Sequence, residues 1–333
     1  MDRVSWDIPL RVTLTLGGQR TDMVSTHPQG DARLPAEELE LKRQGRDYAD
    51  RKGYDPDFLG VRLPLPTLTE EQFLNAARPV PEQPTKKGGM SAAVLNYEHF
   101  SIVMNSRRQI AFYTVVNIDG ATSLEITRES DRWMFDPRIA ESEQIGEALY
   151  TKNKLDRGHL VRRLDPVWGD PISAAKANAD TFHFTNCSPQ HERFNQNNDT
   201  WQGIEDFLLD SARNSHQKLT VFTGPILTEF DPIYRGVRLP LSFWKIAVAK
   251  KSARKLTATA FILGQEDLIH SGLERFEVTT YQVTVDQIQK RTGLDFAYLK
   301  PLEVALHQDL AIERTQDGAE QIRLTGVDQI IFQ

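Results

Sequence analysis

Cysteine is almost absent from this chain. Cys187 stands alone among 333 residues, so no disulfide can form within it. That suits a reducing compartment, and the expectation is a cytoplasmic protein. Long apolar runs are also missing: no stretch reaches the roughly 18 residues that read as a membrane-spanning helix. The first residues, MDRVSWDIPLRVTLTLG, have no basic patch followed by an apolar core, so they do not read as a secretory signal. They alternate as a strand does. There is no internal repeat, no low-complexity segment and no glycine-rich cradle for a nucleotide. An excess of positive charge is lacking as well. The formal net charge is −6, whereas a nucleic-acid binder ordinarily carries a basic footprint.

What is present belongs to a globular chain. An apolar fraction of 39% and a charged fraction of 26% allow a sizeable core. The charge is unevenly spread. From Tyr150 to Arg163 there are five basic residues against one acid, Asp156. From Trp244 to Lys255 there are five more, beginning with Lys245, and no acid. Two such stretches on an acidic body can make a local groove for phosphates. Taken singly, each run reads equally as a solvated face.

Hydrophobic period assigns most elements. A strand is expected over 4–16 and a charged helix over 36–52, ended by Gly53. Residues 59–68, with Pro64 and Pro66, read as extended. Thr69 with Gln72 three residues later makes a capping box for a short helix. Residues 78–89, RPVPEQPTKKGG, are the best linker in the chain. Strands are expected over 99–104, 109–120, 219–227, 242–249 and 256–264, all rich in β-branched and aromatic residues. Helices are expected after Asp199 and over 284–293, the latter closed by Gly293. Residues 129–150 read as irregular and 321–333 as extended. Strands outnumber helices without alternating with them regularly. The expected class is α+β, a central mainly antiparallel sheet flanked by helices.

Two strings carry chemistry: LDRGHLVRRLDPVWG at 155–169 and FTNCSPQHERFNQNNDTWQGIED at 184–206. Phosphodiester hydrolysis needs a base for water, a cation for the phosphoryl oxygens and support for the leaving alkoxide. His159 titrates near neutrality and can be the base. Arg157 offers a permanent fork of donors to a phosphate. Gly158 between them permits a turn or a close approach. Asn186, Asn195 and Glu205 carry hard oxygens of the kind Mg²⁺ accepts. A zinc set, His183, Cys187 and His191, recurs every four residues, but Pro189 interrupts any helix there and no fourth ligand is evident.

DRGH at 156–159, followed by NCSPQ at 186–190, FNQ at 194–196, Trp201 and Glu205, resembles the DNA/RNA non-specific endonucleases. These belong to the ββα-metal (His-Me finger) superfamily, with the Serratia-type nucleases and mitochondrial endonuclease G. Further similar segments follow in order: YEHFSIVMN and VVNIDG upstream, then FTGPIL, FWKIAV, AFILGQ and DQIQKRTGLDF. The resemblance covers roughly residues 94–300.

The resemblance implies an embedded ββα-metal motif. It implies His159 as general base, Arg157 at the phosphate or transition state, and Asn186 positioning the base or the phosphate. Asn195 would be the direct Mg²⁺ ligand, with Mn²⁺ able to substitute, and Glu205 would orient a metal-bound water. The stretch from Asn195 to Trp201 is slightly longer than the family's, which leaves Asn197 and Asn198 as alternative ligands. Arg162 and Arg163 are candidate phosphate contacts. An upstream arginine is also implied, Arg132 or Arg138. The implied substrates are DNA and RNA, the products 5′-phosphate ends, and the assembly a homodimer. A low-specificity nuclease inside a cell also calls for an inhibitor or an activating partner. The alternative is a catalytically silent nucleic-acid-binding module; a cyclic-nucleotide enzyme lacks its cradle. The expected organisation is an N-terminal extension at 1–89, a nuclease domain at 90–300 and a C-terminal extension at 301–333 packed upon it.

Overall fold

The structure, a computed structural model, describes residues 14–16, 19–21, 48–80, 93–128, 132–195, 201–252, 255–266, 279–306, 312–315 and 318–332. Its contacts divide the chain into two units, residues 1–46 and 47–333. In the first, β1 (Leu14–Leu16) pairs antiparallel with β2 (Gln19–Thr21). The rest of the strand expected over 4–16 lies outside the described residues, as does most of the helix expected over 36–52. Residues 48–52 form a turn and extended chain rather than a helix end.

The second unit is built on one antiparallel sheet. Its strands in chain order are β3 (Val94–Asn96), β4 (Phe100–Asn105), β5 (Ile110–Asp119), β8 (Lys218–Ile226), β11 (Ser242–Ser252), β12 (Lys255–Gly264), β13 (Thr279–Val283), β14 (Ile312–Arg314) and β15 (Glu320–Leu324). Among the described residues these nine pair in the order β14-β15-β13-β12-β11-β8-β5-β4-β3. Two hairpins stand apart: β6 (Leu155–His159) with β7 (Cys187–His191), and β9 (Ile233–Tyr234) with β10 (Val237–Arg238). The helices are α1 (Glu70–Leu74), α2 (Pro171–Asp180), α3 (Glu192–Asn195), α4 (Trp201–Ser215) and α5 (Val285–Thr292).

The central strands are near-continuous apolar runs because both faces of the sheet are covered. Alternation sorts their side chains into two cores. Val116, Ile118, Leu219, Val221, Phe243, Ala247, Phe261 and Leu263 share one core with Ile204, Leu208, Leu209 and Ala212 of α4. Val115, Phe222, Trp244, Ile246, Val248, Ala260 and Ile262 share the other with Val285 and Ile288 of α5, and with Tyr54, Leu59, Leu63 and Leu68. Burying one large aliphatic side chain stabilises by about 1.5–3 kcal/mol, so each core is a major share of the total.

Local signals behave as read. Thr69 and Gln72 close a capping box on α1, Thr284 and Gln287 another on α5, and Gly293 ends α5 at φ +72°. The α2 helix was not expected. Its signal was nonetheless present: Asp170 accepts from the amides of Ile172 and Ser173, with Pro171 at the first position.

The contacts divide the chain at 46/47, not at the expected 89, and the linker expected over 78–89 lies mostly outside the described residues. Residues 48–80 are core-forming. Arg51 makes a bidentate pair with buried Asp180 at the end of α2, at 2.8 and 3.2 Å. At the other end, β15 and Phe332 complete the sheet and its core, so 301–333 belongs to the same unit. Removing residues 1–46 should therefore leave the melting transition of the remainder cooperative. Removing 1–89 strips Tyr48, Tyr54, Leu59, Leu63 and Leu68 from their cores and should yield insoluble or non-cooperatively melting protein. Equal solubility and equal Tm for the two truncations would refute this.

Candidate active site

The two chemical strings meet as a hairpin. The register pairs Asp156 with Gln190, Arg157 with Pro189, Gly158 with Ser188, and His159 with Cys187. Pro189 is tolerated because β6 and β7 form only a two-stranded ribbon, where one strand edge needs no donor. Directly opposed residues share a face. One face therefore holds Asp156, Gly158, Ser188 and Gln190, and the other Arg157, His159 and Cys187. Gly158 is required by close approach: a Cβ there would lie 2.0 Å from Gln190 Oε1.

The short helix α3 follows β7 and brings Asn195 to the first of these faces, where its Nδ2 donates to Asp156 Oδ2 at 3.1 Å. Ser188 and Gln190 are fully buried there. Ser188 Oγ and both amide atoms of Gln190 have no hydrogen-bond partner among the described residues. Buried polar atoms demand partners. Carboxylate, amide and hydroxyl oxygens in one place suit a hydrated divalent cation, whose waters would satisfy them. The residues present thus fit the ion that the sequence implied. Asn197 and Asn198 lie outside the described residues.

His159 ends β6, and its ring meets Trp133 at 4.7 Å and Phe182 edge-on at 5.2 Å between centroids. Asn186 is fully buried. Its Oδ1 accepts from Val161 N at 2.8 Å, and its Nδ2 donates to Val161 O at 2.9 Å and Thr181 O at 3.0 Å. That geometry fixes the backbone two residues beyond His159 and leaves Asn186 no amide hydrogen for a phosphate.

The arginines separate by environment. Arg157 lies partly exposed over the Tyr150 ring, with Nε donating to Glu147 at 2.9 Å. So open a pair is worth about 0–1 kcal/mol, and a phosphate can displace the carboxylate. Arg162 donates to the Glu205 carbonyl at 3.1 Å and pairs with Asp206. Arg163 turns elsewhere, to Ile126 O at 2.9 Å and Asn178 Oδ1 at 3.1 Å. Arg138 is a correction. It is buried between the rings of Tyr48 and Tyr97, gripping Asp136 and donating to Asn96 O at 2.8 Å. Burial pushes the Asp136 carboxyl up, but Arg138 outweighs it and holds the group below its ordinary range. Arg138 is a framework residue; Arg132 is the exposed upstream arginine.

The basic run 244–255 is also corrected at Lys245. Its side chain is buried, 3.1 Å from Glu205 Oε1 and 3.2 Å from Thr223 Oγ1. Glu205, on α4, is thereby held against the sheet. Sequence reasoning missed both Lys245 in this role and Gln265. The Gln265 amide donates to Pro189 O at 3.2 Å and Pro240 O at 2.7 Å, and accepts from His191 N at 2.8 Å, pinning the hairpin to the end of β12. The zinc set does not assemble. His183 bonds Tyr48 and the Asp180 carbonyl, and no group of three His, Cys, Asp or Glu able to hold a metal occurs among the described residues. Burial pushes the Cys187 thiol up to about 12, beside the Tyr150 hydroxyl, so it stays protonated.

Removing one member of a buried pair strands the other charge. Lys245→Met should destabilise by about 3–5 kcal/mol, and adding Glu205→Gln should recover part of that loss in urea unfolding. Strict additivity of the two substitutions would show no coupling. Asp165 gives a pH signature. Burial raises its carboxyl to about 7, opposed by Arg162 and Lys245 and reinforced by Glu205. An unfolded aspartate ionises near about 4, so this group's contribution is complete below that pH and is lost as pH rises toward about 7. Asp165→Asn escapes the loss. Its Tm relative to wild type, measured in EDTA, should increase between about pH 5 and pH 8. A constant difference would remove the argument.

The comparisons with known proteins agree with this architecture. The chain is 44% identical over 269 residues to an uncharacterised protein, y4fB, of Sinorhizobium fredii, covering 75% of this chain and 40% of that one. It is 24% identical over 221 residues to a nuclease of Serratia marcescens, covering 62% and 76%. It is 24% identical over 186 residues to the mitochondrial nuclease EXOG of Danio rerio, covering 52% and 51%. A solved EndoG/EndoGI complex contains a chain with the same fold: TM-score 0.50, 17% identity, covering 62% of this chain and 86% of that one. The family model for DNA/RNA non-specific endonucleases matches residues 82–302, more than half of the chain, and the chain belongs to that family.

Proposed function

We propose that the chain is a divalent-metal-dependent endonuclease acting on DNA and RNA without sequence preference. The observation that carries this reading is the β6–β7–α3 unit, in which the DRGH strand is paired to CSPQH, with Asn195 bonded to Asp156 on one face and His159 ending the strand on the other. His159 accepts a proton from the attacking water on an imidazole nitrogen. Trp133 and Phe182 fix the ring plane, and Asn186 fixes the backbone beside it. Arg157 exchanges Glu147 for the scissile phosphate, and Arg162 lies near enough in sequence to assist. Asn195 and Asp156, with Ser188 and Gln190, would hold a hydrated divalent ion. Magnesium, or manganese in its place, supplies positive charge against the phosphoryl oxygens. Glu205, braced by Lys245, would orient water at the site. The products are 5′-phosphate and 3′-hydroxyl ends.

Control is part of the proposal. No described helix is long and apolar enough to cross a membrane. The solved neighbour concerns EndoG inhibition by EndoGI, and an inhibitor of this chain is proposed on that footing, whereas a homodimer is proposed from the sequence resemblance alone.

The test uses plasmid DNA and structured RNA with Mg²⁺, Mn²⁺ or EDTA. Wild type should degrade both with either metal and neither in EDTA. His159→Ala should lose at least about a hundredfold in kcat, as removal of a general base does, while retaining nucleic-acid affinity. End labelling should find 5′-phosphates. Cutting that persists in EDTA or in His159→Ala would overturn the mechanism.

A further inference from the structure

One segment beside the site exposes what a monomer ordinarily hides. Phe230 is 92% exposed and Ile233 is 64% exposed, the two on one short arm that includes β9 and β10. The arm is held firmly. Asp231, its side chain fully buried, pairs with Arg108 and accepts from Thr228 N at 3.1 Å and Thr228 Oγ1 at 2.8 Å. Arg238 donates to the carbonyls of Glu229 at 2.8 Å and Asp231 at 3.1 Å, on either side of Phe230. An exposed ring on so fixed a backbone loses little freedom on binding.

The arm is also joined to the site. Arg235, at φ +50°, donates to the carbonyls of Ala148 at 2.8 Å, Leu149 at 3.3 Å and Thr151 at 2.8 Å. Those residues run straight into β6. Tyr234 meets Asn153 at 3.4 Å. Arg235, Lys152 and Lys154 are exposed on this junction, and Lys154 immediately precedes the DRGH strand. Glu229 is the exposed carboxylate next to Phe230, and Glu147 is already paired with Arg157. An aromatic face flanked by cations is the chemistry that holds a single-stranded polynucleotide, bases on the ring and phosphates on the cations.

We propose that Phe230 and Ile233 form a platform for an unstacked nucleobase, with Lys152, Lys154 and Arg235 holding the adjoining phosphates as the strand runs to β6. The cations favour a polyanion over a second copy of this chain packed arm to arm, which would set like charges against each other. The platform rests on the nuclease reading and adds to it a reason for tolerance of sequence, since every base has a face to stack.

The experiment is fluorescence anisotropy of the full chain with a labelled single-stranded oligonucleotide in EDTA, across a salt series. Phe230→Ala should raise Kd roughly tenfold or more without changing the slope of log Kd against log salt. Phe230→Trp should keep wild-type affinity. Lys154→Gln should reduce the salt slope by about 0.7. Leu74→Ala, a change at another exposed apolar side chain, on α1, is the control and should do none of these. Phe230 makes no core contact, so its removal leaves the fold intact. An unchanged Kd in Phe230→Ala, or dissociation of a dimer by that variant without loss of affinity, would overturn the platform. If wild type itself neither binds nor cuts, the nuclease reading fails together with it; if wild type cuts and Phe230→Ala binds normally, only the platform fails.

Discussion

Pairing between β6 and β7 is the interaction on which the site depends. Their register joins Leu155 to His191 and His159 to Cys187, across an intervening segment that contains α2. Without it, the imidazole and the oxygen donors belong to unrelated stretches of chain. The pairing is itself supported at both ends. Asn186 locks the backbone just beyond His159, and Gln265 ties His191 and Pro189 to the large sheet. Each support is a buried amide with its partners in place, which gives rigidity that a loop of Asn and Gly residues would lack.

Buried charge organises the surroundings. Arg51 with Asp180, Arg108 with Asp231, and Lys245 with Glu205 each join segments distant in sequence, while Arg138 grips Asp136 two residues away and reaches the Asn96 carbonyl. Such pairs contribute little net stability relative to apolar packing, because desolvation offsets their attraction. Their effect is to penalise alternative arrangements that would leave one charge buried alone. The segment 48–51 takes part through Tyr48, which caps His183, and through Arg51. Residues ahead of the family match are therefore part of the framework that carries Asn186.

The legibility of the sequence follows from the range of each signal. The capping box at Thr69 and the C-cap at Gly293 act within a few residues and form where the sequence places them, and Thr284 adds a second box at the start of α5. The central strands are equally plain, because two-sided burial leaves unbroken apolar runs. The DRGH and SPQ strings were not legible as strands: five residues each, with a glycine or a proline, give no period. Lys245 lies in a run that reads equally as a phosphate groove or a solvated face, and Arg138 is one of two candidate upstream arginines, because a basic residue in sequence carries no sign of what faces it. Only packing distinguishes an ion pair under a helix from a cation in water.

Sequence alone determined the α+β class, the helix caps, the alternation that feeds two cores, and the family to which the DRGH string belongs, since all of these are written in residue type and short spacing. Tertiary structure decided which face of the hairpin receives Asn195, that Asn186 clamps backbone, that Glu205 is held by Lys245, and that residues 48–80 belong to the core. These are outcomes of contacts between residues far apart in the chain, where the free energy of a side chain is set by its partner and its burial.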